Sequence, residues 1–299
     1  MKASYYPGCT LKTKAKNLED AAVASMAALG VEFEELPRWN CCGAVHSLAD
    51  DDLIHHVAPV RDLIRAMEQG SDQVVTLCSM CYNTLARANL LMRNEEVKRK
   101  TINDFMNEEK DYKGEVEVVH FLNFLRDTVG WDNLKSKVKV PLTGMKIASY
   151  YGCTLVRPRE VAIEPAGSEK IMNEFVGALG GSTVDFGASE VCCGSYQIVA
   201  HPGAALEAIG RIIESAAEAG AEALILSCPL CEYNLAKKQD ELIQGQKIAR
   251  KLPVYYFTQL LAMALGLGPE TYRLDLNDGV SVEFLRARNI PVESAGTQA

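Results

Sequence analysis

No apolar run in this 299-residue chain reaches the roughly 18–20 residues a helix needs to cross a bilayer, so no transmembrane helix is expected. The opening Met1-Lys2-Ala3-Ser4-Tyr5-Tyr6 passes straight into a strand-like segment without the apolar core of a signal peptide, which points to the cytosol. Positive charge is in short supply: 31 Lys and Arg face 39 Asp and Glu, a net charge of −8. A nucleic-acid footprint is therefore not expected. No G-x-G-x-x-G follows a strand, so a flavin or nicotinamide, if the reaction needs one, is expected on another polypeptide.

What the chain has is cysteine. There are ten, and two sets of five account for all of them. The first set is Cys9, the adjacent pair Cys41-Cys42 before Gly43, and Cys78-Ser79-Met80-Cys81. The second is Cys153, Cys192-Cys193 before Gly194, and Cys228-Pro229-Leu230-Cys231. The spacings are C-x31-CC-x35-CxxC and C-x38-CC-x34-CxxC, offset by 144, 151 and 150 residues at the three landmarks. The flanks repeat as well: Tyr5-Tyr6-Pro7-Gly8 against Tyr150-Tyr151-Gly152. An internal duplication accounts for this order.

In a reducing cytosol, ten cysteines point to metal binding or redox chemistry rather than disulfides. Inert buried thiols would show no pattern. Structural zinc takes four ligands, one fewer than each set supplies. Thiolates are the standard ligands of iron–sulfur clusters, and five of them exceed what an ordinary cubane needs.

Strands alternate with helices through both halves, which predicts α/β halves with mainly parallel sheets. Expected strands are 3–6, 31–36, 73–77, 115–119, 146–150, 183–186, 223–227 and 254–256; an unbroken helix is expected over 230–243. Cys9, Cys78, Cys153 and Cys228 fall just past the carboxyl ends of strands, where such sheets collect ligands, so the cysteine loops should converge on a central site. The divisions read from the chain are 1–143, 144–270 and a C-terminal extension 271–299 with a disordered end. The 130–144 connection, with Lys135, Lys137 and Lys139, reads as a solvated link, and Val280 to Ile290 either as an amphipathic segment able to dock on a partner or as an ordinary surface segment.

Several side chains near the cysteines invite roles. Lys12 and Lys14 follow Cys9, and Arg157 and Arg159 follow Cys153; both pairs suit anionic substrate groups, with a solvated basic loop as the competing reading. His46 stands after the first Cys-Cys-Gly where the second set has Gln197, and is a candidate proton donor; a histidine satisfied by local hydrogen bonds is the competing reading. Asn83 and Asn234 should hydrogen-bond around the cluster loops. Gly43 and Gly194 should permit a turn that a Cβ would obstruct. His55 and His56 read as surface residues of a helix.

At these motifs the chain resembles the CCG-domain family, and within it the B subunits of heterodisulfide reductases. The resemblance covers roughly residues 3–265, with the second set one residue short between Cys193 and Cys228. It implies that Cys9, Cys41, Cys42, Cys78 and Cys81 hold one noncubane [4Fe-4S] cluster and that Cys153, Cys192, Cys193, Cys228 and Cys231 hold another. It implies the catalytic component of a soluble oxidoreductase that reduces the coenzyme M–coenzyme B heterodisulfide to two thiols. The implied partners are an iron–sulfur protein like the C subunits of these reductases and a flavin-bearing protein like their A subunits, with room for a hydrogenase or formate dehydrogenase in the assembly. CCG proteins also serve as electron-transfer or disulfide-reducing components of other oxidoreductases, so a different substrate stays open; fold and motif do not fix it.

Overall fold

The computed structural model describes residues 1–44, 53–165, 167–168 and 170–292. The first half runs β1 (Lys2–Tyr6), α1 (Lys16–Ala28), β2 (Glu32–Glu35), α2 (Ile54–Glu68), β3 (Gln73–Thr76), α3 (Ser79–Asn94), α4 (Glu96–Phe105), β4 (Glu117–His120) and α5 (Phe121–Phe124). A short α6 (Trp131–Lys137) connects it to the second half: β5 (Lys146–Ser149), α7 (Ile171–Ala178), β6 (Ser182–Val184), α8 (Gln197–Ala200), α9 (Pro202–Glu218), β7 (Ala223–Leu226), α10 (Pro229–Lys237), α11 (Gln239–Gln244), β8 (Val254–Tyr256) and α12 (Phe257–Ala264). Two further helices, α13 (Pro269–Tyr272) and α14 (Gly279–Arg286), close the described chain.

Each half holds one four-stranded sheet, ordered β2-β1-β3-β4 and β6-β5-β7-β8. Every pairing is parallel. Parallel sheets are covered on both faces, and the strands read accordingly: all four residues of β7, Ala-Leu-Ile-Leu, are buried. In each order the chain leaves the first strand to one side and returns past it to the other. The crevice beyond the carboxyl ends of β1 and β3, and of β5 and β7, is therefore a switch point of the kind where α/β sheets bind ligands.

The halves are interlocked by exchange. Leu18, Ala21, Ala22 and Met26 give α1 one apolar face, and Gly30, at φ +78°, ends the turn that follows it. That face packs on α12 of the other half, and in the same way α7 packs on α5. The Thr258 hydroxyl donates to the Leu18 carbonyl at 2.8 Å across the boundary. Phe257 lies 5.8 Å from Phe121 and 5.6 Å from Phe175, so one aromatic cluster serves both halves. The buried hydrophobic residues form a single continuous core.

Three local readings change. The 130–144 link contains α6, pinned by buried Leu134 and by Trp131 Nε1 donating to Glu174 at 3.1 Å, while Lys135, Lys137 and Lys139 do face solvent. The helix expected over 230–243 breaks at Lys238 into α10 and α11. The C-terminal segment docks on its own half: Tyr255 Oη donates to the Ser281 carbonyl at 2.5 Å, Val254 N donates to Ser281 Oγ at 3.2 Å, and Leu285 is fully buried. The end expected to be disordered, 293–299, lies outside the described residues.

Candidate metal centres

Each quintet is assembled by three loops at a switch point. Cys9 and Cys153 sit in the turns after β1 and β5. Those turns need glycine: Gly8 is at φ +76° and Gly152 at φ +66°. A Cβ on Gly8 would also stand 2.9 Å from Cys81 Sγ, so the missing side chain makes room for a ligand sulfur. Cys78 and Cys228 are extended residues that cap the N-termini of α3 and α10, with Pro229 opening the latter. Cys81 and Cys231 lie buried in the first turns of those helices, and their thiols are pushed well up, first by Cys42 and Cys193 and then by Cys78 and Cys228 and by burial.

The Cys-Cys-Gly loops complete the sets. Gly43 and Gly194 both adopt positive φ, +73° and +86°, and a Cβ on Gly194 would stand 2.8 Å from Ala205 Cβ. Two tyrosines that the repeated Tyr-Tyr flanks could have flagged hold these loops in equivalent ways. Tyr6 Oη donates to the Asn40 carbonyl at 2.8 Å, and Tyr150 Oη to the Val191 carbonyl at 2.6 Å. Each accepting carbonyl belongs to the residue just before the vicinal pair. Asp62 holds only the first loop: it accepts from the Asn40 backbone N–H at 2.8 Å, and burial pushes its carboxyl up to about 8. The helix in the matching place, α9, buries only Ala205, Ile209, Gly210, Ile212, Ile213 and Ala216.

The ten sulfurs are free thiols, arranged in near-symmetric pairs. Cys9 and Cys41 are 3.4 Å apart, Cys42 and Cys81 3.6 Å, Cys153 and Cys192 3.7 Å, Cys193 and Cys231 3.3 Å. Two thiolates on one tetrahedral metal with bonds of about 2.3 Å would lie about 3.8 Å apart, so each pair is close to the separation a shared metal imposes. In each set the buried sulfurs are those of the second vicinal cysteine and the CxxC (Cys42, Cys78, Cys81; Cys193, Cys228, Cys231). Cys9, Cys41 and Cys192 are exposed and Cys153 is half-buried. Cys78 and Cys228 each shift the other's thiol, and Asn83 of α3 reaches the loop after Cys153, so the two sets lie near each other.

The donor set and its surroundings fit an iron–sulfur group in each half. Among the described residues, no three His, Cys, Asp or Glu side chains are close enough to hold a single ion as they stand, and a multi-iron group spreads its thiolates wider than one ion does. Buried polar atoms without a hydrogen-bond partner stand beside the second set of cysteines: the hydroxyls of Ser195 and Ser227 and the carboxamide oxygen of Asn234. Buried polar groups are seldom left unpaired, and a bound inorganic group is one way to satisfy them.

The thiols hold protons unequally. Cys192 is pushed down to about 6, first by its hydrogen bond with Cys153, with help from the Gly194 backbone and the Arg157 guanidinium. Cys42 is held low by Cys41 and Cys81, and Cys228 by Cys231 and Cys78. Their partners Cys41 and Cys153 are raised in return.

The other expected site residues separate in space. Lys12 is held by two carboxylates, Glu19 at 2.7 Å and Glu35 at 2.6 Å. Lys14 is exposed. Arg157 and Arg159 are exposed on the loop after Cys153, with Arg157 Nη2 donating to the Glu190 carbonyl at 2.5 Å. His46 lies outside the described residues. His56 is buried rather than on the surface. Both asparagines do bond around the cluster loops, but to different ones. Asn234 Nδ2 donates to the Cys193 carbonyl at 2.9 Å and the Ser195 carbonyl at 3.0 Å, within its own half. Asn83 Nδ2 reaches across to the Thr154 and Arg157 carbonyls, at 2.9 and 2.7 Å.

The sequence profile of the CCG family, described as a cysteine-rich domain, matches residues 3–86 and 147–236. The chain is 32% identical to the membrane anchor subunit of the 8-methylmenaquinol:fumarate reductase of Wolinella succinogenes, over 92% of this chain and 95% of that one. It is 29% identical to the B subunit of the ferredoxin/F(420)H(2)-dependent CoB-CoM heterodisulfide reductase of Methanosarcina acetivorans, over 95% and 96%. It is 26% identical to a protein of Archaeoglobus profundus described as like the B subunit of heterodisulfide reductase, over 90% and 92%. A crystal structure of a hypothetical protein from Helicobacter pylori shares the fold, with a TM-score of 0.73 at 14% identity; it covers 92% of this chain, which spans about half (51%) of that one. Among the described residues no helix is long and apolar enough to cross a membrane. With both cysteine sets inside the matched segments, the chain belongs to the CCG family of cysteine-rich domain proteins and is of the same type as the B subunits of heterodisulfide reductases.

Proposed function

We propose that this chain is an iron–sulfur oxidoreductase component that reduces a disulfide, with the coenzyme M–coenzyme B heterodisulfide as its substrate. The observation that supports the reading is that two cysteine quintets lie side by side, with α3, which carries Cys81, bonded through Asn83 to the loop after Cys153. Opening a disulfide to two thiols consumes two electrons and two protons. Two one-electron centres side by side match that demand. Cys9, Cys41, Cys42, Cys78 and Cys81 would hold one noncubane [4Fe-4S] cluster, and Cys153, Cys192, Cys193, Cys228 and Cys231 the other. When bound, these groups supply the electrons.

The chain's own residues do the rest. The glycine turns and the two tyrosines fix the loops. Lys14, Arg157 and Arg159 offer positive charge to a polyanionic substrate in a net-acidic protein. His46 is the candidate proton donor. Electrons would arrive from an iron–sulfur protein of the C type, fed by a flavin-bearing protein of the A type, in a cytoplasmic assembly. The relative named for fumarate reduction favours a second reading, in which the chain relays electrons within a complex that acts on another substrate.

The test is anaerobic turnover. Purified protein supplied with reduced viologen should cleave the heterodisulfide to its two thiols. Iron-loaded protein that accepts viologen electrons but leaves the heterodisulfide untouched would overturn the first reading and leave the relay.

A further inference from the structure

Asn83 belongs to the first half, on α3, two residues past Cys81. It is buried, at 6% exposure, and its carboxamide nitrogen points out of its own half. There it donates to two backbone carbonyls of the loop after Cys153: Thr154 at 2.9 Å and Arg157 at 2.7 Å. Those carbonyls lie in the turn that follows Cys153, a turn otherwise closed by Val156 N and Arg157 N donating to the Cys153 carbonyl at 3.3 and 2.9 Å. The converse contact is not made by Asn234, which bonds to the Cys193 loop of its own half. One residue of offset accounts for this. Asn83 follows its CxxC by two and Asn234 by three, and a helix turns about 100° per residue, so the carboxamides leave their helices in different directions.

We propose that Asn83 is a positioning residue for the opposite centre: the first half's ligand-bearing helix holds the Cys153 loop of the second half in place, a tie that Asn234 does not return. The second quintet would then depend on the first half, while the first would not depend on the second through this route. The inference rests on the reading of both quintets as metal centres and adds a direction to the coupling between them.

The experiment uses the full iron-loaded chain. Wild type and Asn83→Ala are challenged with an iron chelator, trapped with iodoacetamide, and mapped by mass spectrometry to show which cysteines become free first. Labelling of Cys153 and Cys192 should run about tenfold faster in Asn83→Ala, the effect of losing roughly one to two net hydrogen bonds, with Cys9 and Cys41 labelled at the wild-type rate. Asn83→Asp has the same shape but sets a carboxylate against two carbonyl oxygens, so it should match the alanine variant. Equal acceleration in both halves, or wild-type labelling in Asn83→Asp, would overturn the proposal. If wild-type protein binds no iron, the metal reading fails separately, and the ratio of Cys153 to Cys9 labelling in the metal-free chain still decides the role of Asn83.

Discussion

Cys78 and Cys228, the first cysteines of two CxxC turns borne by different halves, interact across the boundary. The contact raises the Cys78 thiol, while Cys228 is lowered by Cys231 and then by Cys78. Each of the two is a ligand candidate for its own centre and a neighbour of the other.

Ligand substitutions should therefore fall into two classes. Anaerobically loaded protein should carry about eight irons per chain, four in each centre. Cys41→Ala removes an exposed sulfur that pairs with Cys9 of its own set, so about four irons should remain, with the spectrum of the second centre unchanged. Cys78→Ala should also disturb the second centre, because it takes a neighbour from Cys228. Iron analysis with electron paramagnetic resonance of both variants checks this, and indistinguishable spectra of the remaining centre would refute it.

The basic residues should divide according to their partners. Lys12 already faces Glu19 and Glu35, and Glu19 is buried, so Lys12→Met should lower stability by about 1–3 kcal/mol and leave the KM for the heterodisulfide unchanged. Arg159→Ala should raise that KM about tenfold at constant iron content, as expected for the loss of one charge-assisted contact. Steady-state kinetics beside urea denaturation separates the two effects. A raised KM in Lys12→Met would mean the lysine leaves its carboxylates when substrate binds.

Acid should weaken the first half through His120. This imidazole is fully buried, caps α5 by accepting from Leu122 N at 3.3 Å, and donates from Nε2 to the Leu77 carbonyl at 3.2 Å. Burial pushes it down from the ordinary 6.5 to about 3. Above 6.5 it costs nothing. As pH falls below that value the unfolded chain takes up a proton that the folded chain refuses, so stability drops by about 1.4 kcal/mol per pH unit. Between pH 6.5 and 5.0 the loss should be about 2 kcal/mol, and His120→Asn, which keeps a capping side chain, should lack that part of the slope. Urea midpoints at several pH values decide it; parallel slopes for the two proteins would show that other groups dominate.

The sheets and quintets were legible because their signals are periodic or repeated: short apolar strands, glycines behind helices, and two identically ordered cysteine sets. The α6 helix was not, since seven residues with one buried leucine offer too few turns for a pattern. His56 reads as polar, and only the packing of its helix shows that it is buried. The direction of Asn83 was hidden for a different reason. Its partners lie 71 and 74 residues away, and spacing within one half says nothing about the other. The offset from Asn234 was visible in the sequence, but its meaning needed the relative placement of α3 and the Cys153 loop. The paired roles of Tyr6 and Tyr150 were within reach, because their motif repeats in the sequence.

The reciprocal packing of α1 on α12 and of α7 on α5 bears on how such a chain could arise. A half on its own would leave two apolar helix faces bare, and each is complementary to the other. A second copy, related by a two-fold axis, would cover both at once. Joining two such copies needs only a tether, a part that residues 130–144 can fill. Once joined, the copies are free to diverge. Asp62, buried on α2 where α9 buries no acidic residue, and two asparagines set one position apart, are the marks of that divergence: a symmetric pair that has become a molecule with a left and a right.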